Sequence, residues 1–226
     1  MVGAVCRALT VGALSAVTVA AGVGAAGAAS PPPLRLGSRG PAVVTLQTEL
    51  NRLGFVPGAA DGVFGTLTQQ AVDAAQGYFG LTRDGVAGPV TLARLATARA
   101  TPAPTWCRAT ACVDVTRGVL FLQERTRRLI VHVSTGGEYW YRSPSGGLAF
   151  AHTPRGSFTI YRKIPGWHRS ALGLMYDSSY LYRGYAIHGD TIVPPNPVSH
   201  GCVRVTMALA ARVYADLPIG AGVTVR

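Results

Sequence analysis

The chain has 226 residues, enough for one large domain or two small ones with a real core. Its formal net charge is +11, but the cations are nearly all scattered arginines, with Lys163 the single lysine. That pattern, behind an export-type first segment, argues against nucleic acid as a partner and for attraction to anionic polymers outside the cytoplasm.

The first segment is unlike the rest. Arg7 is its one charge, Ala8 to Ala28 is an uncharged Ala/Val/Leu/Gly run, and Gly27-Ala28-Ala29 offers small residues for cleavage. Residues 1–29 are therefore expected to be a secretory signal peptide. A retained anchor is the alternative, since the run is near the length of a bilayer span, but its Ala and Gly content makes it weakly hydrophobic. No stable membrane insertion is expected after cleavage. Loss of Cys6 leaves Cys107, Cys112 and Cys202. In an oxidising compartment an odd count means a free thiol or an intermolecular bridge. Cys107 and Cys112 are close enough in sequence to pair, which leaves Cys202 free.

Residues 34–97 carry helical periodicity. Pro41 to Leu53 places Val43, Leu46, Leu50 and Leu53 on one face and stops at Gly54. Asp61-Gly62-Val63-Phe64-Gly65 recurs 23 residues later as Asp84-Gly85-Val86-Ala87-Gly88. Each copy is a sharp turn followed by a helix, Thr66 to about Tyr78 and Pro89 to Ala96. A three-helix domain without a catalytic set is expected, because Asp61, Asp73 and Asp84 have no His or Cys nearby. The order Leu36-Gly37-Ser38-Arg39-Gly40, Leu46-Gln47, Leu53-Gly54 and the two Asp-Gly turns resembles helical peptidoglycan-binding domains. Ala75-Gln76 departs from that family, which has an aromatic before the glutamine. The resemblance implies wall glycan strands as a partner.

Residues 98–106, with Thr101-Pro102-Ala103-Pro104-Thr105, read as a semi-extended linker. From 107 to 226 the period becomes that of strands: 113–115, 119–122, 129–133, 157–161, 185–188 and 223–225. Arg125 to Arg128 reads as an exposed hairpin turn and strand start. One helix is expected, Thr206 to Tyr214. The expected fold class is α+β, a small three-helix domain followed by a mainly-β domain with few helices.

The chemistry concentrates in His188-Gly189 and in Ser199-His200-Gly201-Cys202-Val203-Arg204, the cysteine lying 14 residues after His188. A thiol is a good nucleophile only as its thiolate, and an imidazole within hydrogen-bond reach can take the proton. This pattern, with Thr153-Pro154-Arg155-Gly156-Ser157-Phe158-Thr159-Ile160 and Val133-Ser134-Thr135-Gly136, resembles the L,D-transpeptidases over roughly residues 110 to 226. The resemblance implies a β-sandwich, a location in the bacterial cell wall and peptidoglycan stem peptides as substrate. It also implies transfer through a Cys202 thioester with release of a terminal D-amino acid from a tetrapeptide donor, and acylation of Cys202 by carbapenem-type β-lactams. No ATP or other cofactor is required, because the broken peptide bond supplies the energy.

By the same resemblance His188 is the general base, its ring oriented by the Gly189 carbonyl, with Asp190 as the other candidate. His200 is a second base or a substrate contact: in an extended segment it shares a face with Cys202. Gly201 and the Cys202 N–H are expected oxyanion donors. Arg204 either binds a substrate carboxylate or supports the loop, and Ser199 is placed with it on the substrate side. His132, His152 and His168 default to structural or surface roles, while Tyr139, Trp140, Tyr141 and Trp167 belong to the cleft wall or to the core. A zinc site using His188, His200 and Cys202 is the first rival, weakened by the lack of a nearby carboxylate pattern. A cell-wall cysteine peptidase has the opposite His/Cys order, although carboxypeptidase side activity needs only water in place of the amine. A non-enzymatic wall-binding protein leaves the motif without a use.

Overall fold

Among the described residues, three helices form the N-terminal part: α1 (Pro41–Arg52), α2 (Thr66–Phe79) and α3 (Pro89–Thr97). They belong to a computed structural model that describes residues 1, 3, 32–124 and 127–226. The expected signal peptide, residues 1 and 3 apart, and Arg125-Thr126 of the expected hairpin turn lie outside the described residues. Among the described residues, no helix is long and apolar enough to cross a membrane.

Each Asp-Gly turn is folded by a glutamine from the helix before it. Gln47 on α1 donates to Asp61 Oδ1, the Val63 carbonyl and Thr68 Oγ1, and accepts from the Gly62 N–H. Gln76 on α2 repeats the set with Asp84 Oδ1, the Val86 carbonyl and Thr91 Oγ1, and accepts from the Asp84 and Gly85 N–H groups. Both side chains are about 1 % exposed, so no water replaces those partners. Gln76→Leu is expected to destabilise the protein by about 3 kcal/mol, since several buried polar groups lose their partner at once. Urea unfolding measures it, and a loss under about 1 kcal/mol would contradict this account of the turn.

The β region has two facing sheets. One contains β1 (Ala111–Asp114), β2 (Val119–Gln123), β3 (Arg128–His132), β6 (Gly156–Thr159) and β11 (Gly222–Val225), in the order β3-β2-β1-β11-β6. The other contains β7 (Arg162–Ser170), β8 (Gly173–Tyr182), β9 (Tyr185–Asp190) and β10 (Val203–Thr206), in the order β10-β9-β8-β7. A short hairpin, β4 (Trp140–Arg142) with β5 (Leu148–Phe150), stands apart, and α4 (Met207–Asp216) follows β10 directly.

Strands β1, β2 and β3 of the first sheet are buried on both faces, and their residues alternate accordingly. Val113, Leu120, Leu122, Leu129 and Val131 join Ile187, Val203, Val205 and α4 in the sandwich core. Cys112, Val119, Phe121 and Ile130 turn the other way into a second core with Val43, Leu46, Leu50, Phe55, Phe64 and Val72. The helices and the sandwich therefore share a core. The 98–106 segment is pinned beside it: Tyr78 donates its hydroxyl to the Pro102 carbonyl, 3.0 Å, and Thr101 donates to the Leu53 carbonyl. Cys107 and Cys112 form a disulfide, which leaves Cys202 as the free cysteine among the described residues.

Candidate active site

His188 and Cys202 line one cleft because β9 and β10 run parallel, with Arg204 directly opposite His188 and Val203 opposite Ile187. His188 is 4 % exposed and held between the apolar Ile187 and the close packing of Gly189. A Cβ on Gly189 would lie 2.6 Å from the Ala210 Cβ, so the missing side chain lets α4 press against β9. The His188 ring places Nδ1 2.9 Å from the Gly189 carbonyl. A carbonyl only accepts, so Nδ1 carries the proton and Nε2 keeps its lone pair. Asp190 is engaged elsewhere, its carboxylate 3.1 Å from Arg204 Nε.

Cys202 Sγ points at the Gly184 carbonyl, 4.0 Å away, rather than at the His188 ring. Burial raises its pKa, against a hydrogen bond from the Ala186 backbone and the Arg204 charge, which lower it. Burial likewise lowers the pKa of His188, opposed by the Gly189 hydrogen bond and Asp190. Both shifts favour a neutral thiol beside a neutral imidazole over an ion pair.

The loop before Cys202 is braced by the two upstream segments. Thr153 Oγ1 accepts from the Gly136 N–H and donates to the Gly201 carbonyl, both at 2.9 Å. Ser199 N–H donates to the Thr135 carbonyl, and Ser134 and Arg204 exchange backbone hydrogen bonds. The connector leading to this loop is held by Gln70 of α2, which donates to the Val193 carbonyl at 3.1 Å. His132 contacts the Pro194 carbonyl at 3.0 Å, and Ser134 donates to the Asn196 carbonyl at 2.8 Å. Burial pushes the His132 pKa down to about 4, so its ring is neutral and Nε2–H is the donor. His132 thus has the structural place expected of it.

Three expectations change. The Gly201 N–H is spent on Ser199 Oγ at 2.9 Å, so of the two expected oxyanion donors the Cys202 N–H remains. Ser199 is 1 % exposed and borders the cleft, but its hydroxyl is spent within the loop, donated to the Cys202 carbonyl at 2.6 Å. His200-Gly201 is a bend with Gly201 at φ 131°, not an extended segment. His200 nevertheless faces the same cleft as Cys202, packed 4.4 Å from the Tyr141 ring.

The cleft, about 190 Å³, is walled by Tyr141, Tyr185, Leu172 and Met175 as well as His188, His200, Cys202 and Arg204. Tyr185 and the β7–β8 hairpin are the parts that the residue pattern did not mark. Tyr185, three residues before His188 at the start of the same strand, was the available signal. Among the described residues, no three His, Cys, Asp or Glu side chains gather as metal ligands would.

An imidazole with a free ring nitrogen beside a thiol, in a cleft open to solvent, has the parts of a nucleophile and its base. Residues 108–225 match the model of the L,D-transpeptidase catalytic domain, and residues 39–95 match that of a peptidoglycan-binding domain. The chain belongs to the L,D-transpeptidase family and is an enzyme of that family. A solved L,D-transpeptidase (residues 123–326) from Xylanimonas cellulosilytica is 37 % identical with a TM-score of 0.80, covering 88 % of this chain and 99 % of that one. An uncharacterized protein of Kitasatospora aureofaciens is 38 % identical over 101 residues, covering 43 % of this chain and 85 % of its own. The N-acetylmuramoyl-L-alanine amidase CwlM of Mycobacterium tuberculosis is 47 % identical over 53 residues, 24 % of this chain, which spans only 13 % of that relative.

Proposed function

We propose that this chain is exported by residues 1–29 and cross-links peptidoglycan stem peptides at the wall through a Cys202 thioester. The observation that carries the reading is the His188 ring, whose Nδ1–H is fixed on Gly189 and whose Nε2 is left as the base. Rotation of the Cys202 side chain away from Gly184 brings the thiol to that nitrogen. Nε2 takes the thiol proton as sulfur attacks the carbonyl of a tetrapeptide's third residue. The C–S bond forms, the C–N bond breaks, and the proton leaves on the amine of the terminal D-amino acid. The amine of a second stem then attacks the thioester, giving its proton to His188, which returns it to the departing sulfur. The Cys202 N–H faces the charge that develops on the carbonyl oxygen. Such a donor contributes about 3 kcal/mol in acyl transfer. Arg204, held by Asp190 and lining the cleft, supplies positive charge for a substrate carboxylate.

Mass spectrometry of products from disaccharide-tetrapeptide tests this, with Cys202→Ala alongside. A dimer lacking one D-amino acid, made by the wild type alone, is the expected result. Tripeptide without dimer reassigns the site to a carboxypeptidase. Untouched substrate with both proteins removes the catalytic reading.

A further inference from the structure

The hairpin β4–β5 wears its apolar residues on the outside. A strand with one face in solvent ordinarily turns polar residues outward. Here Trp140, Leu148 and Phe150 point outward, 68 %, 72 % and 37 % exposed, while Tyr141 and Ala149 alternate inward and are half-buried. Trp140 and Phe150 oppose each other in register, their ring centroids 5.2 Å apart. The His152 ring stacks on Phe150 in turn, centroids 6.0 Å apart and planes within 26°. The result is a row of three rings. Polar groups edge it: Arg142 is anchored on the Gly146 carbonyl at 2.8 Å, and Ser143 and Ser145 share a hydrogen bond in the turn. Apolar surface gathered in this way and left in water marks a binding face.

The other side of the same hairpin belongs to the catalytic cleft. Tyr141 lines it and packs on His200, so consecutive residues of β4 serve the cleft and the outer row. We propose that the row Trp140–Phe150–His152 is a sugar platform, holding a pyranose ring of the glycan strand whose stem peptide occupies the Cys202 cleft. This rests on the function proposed above. A pyranose presents an apolar C–H face that fits an aromatic ring and hydroxyls at its edge that fit arginine and serine, as this patch offers. The stem is covalently joined to its sugar, and three extended residues span only about 10 Å. A stem with its third carbonyl at Cys202 therefore brings its sugar out near the cleft lip that Tyr141 forms.

The test compares disaccharide-tetrapeptide with free tetrapeptide as donors for the wild type, Trp140→Ala and Trp140→Tyr. Trp140→Ala is expected to raise KM about tenfold for the disaccharide donor, equivalent to about 1.4 kcal/mol, with kcat unchanged. Free tetrapeptide is expected to show no change, and Trp140→Tyr, which keeps a ring, to recover most of the loss. Equal losses on both donors, or none on either, would overturn the platform. Sedimentation adds another opposing outcome: a wild-type dimer that Trp140→Ala dissociates would make this face a self-contact. If the wild type turns over neither donor, the functional reading fails separately. The platform is then read by titrating Cys202→Ala protein with a β-1,4-linked N-acetylglucosamine oligosaccharide. Saturable binding that Trp140→Ala abolishes supports it, and absence of binding overturns it.

Discussion

His188→Gln is expected to slow acylation of Cys202 by about 10²–10⁴-fold, the range that a positioned general base contributes. The substitution keeps a polar side chain of similar reach in a buried position but removes the ring nitrogen to which the proposed mechanism assigns the thiol proton. The pH dependence carries a second signature. Because the His188 pKa is lowered by burial, the base is competent at neutral pH, and the wild-type rate should fall only below about pH 6.5, the ordinary imidazole value. Because burial raises the Cys202 pKa, direct alkylation of the thiol by iodoacetamide should climb mainly above the ordinary thiol value of about 8.5. The acid limb should disappear in His188→Gln. Pre-steady-state acylation from pH 5 to 10, followed by intact-protein mass, measures both effects. A variant that acylates within threefold of the wild type would show that another group, His200 foremost, takes the proton.

Phe121→Ala is expected to cost about 3–5 kcal/mol, the range for emptying a buried aromatic site. Phe121 is 1 % exposed on the outer face of β2, with Tyr78 of α2 across from it at 6.1 Å between ring centroids. In a unit of this size that loss lowers Tm by roughly 10 °C. Calorimetry should also show one transition rather than two, before and after the substitution, because helices and sheet bury their residues against each other. Two separate melts, with only the helical one moving, would refute the shared core.

The sequence made the helices legible because their apolar faces repeat cleanly and each begins after a turn with a mechanism. It also contained a signal for the shared core that only the structure explains. Val119-Leu120-Phe121-Leu122 and Leu129-Ile130-Val131 are apolar without alternation, as strands covered on both faces must be. The long strands β7 and β8 went unread for a local reason. Pro165 and Gly166 interrupt β7, and proline ordinarily argues against a strand. Here the pair falls at a break in register between Ile164 and Trp167, where Gly166 donates to Asp177 Oδ1 at 2.7 Å. β4 and β5 were hidden by carrying apolar residues on the wrong side. At the site, the residue types were readable, but the use of each N–H was not. The partner of Gly201 N–H depends on a bend at φ 131° that no residue spacing encodes.

The hydrogen bond from Gln70 to the Val193 carbonyl joins a helix matched as wall-binding to the connector that feeds the catalytic loop. With a common core beneath it, this arrangement behaves as a ruler rather than a leash. A catalytic unit on a flexible tether searches a volume whose size grows with the length of the tether. Here the interval between the helices matched as peptidoglycan-binding and the thiol is set by packing; under the function proposed above, where the enzyme holds would decide which neighbouring stems it can join.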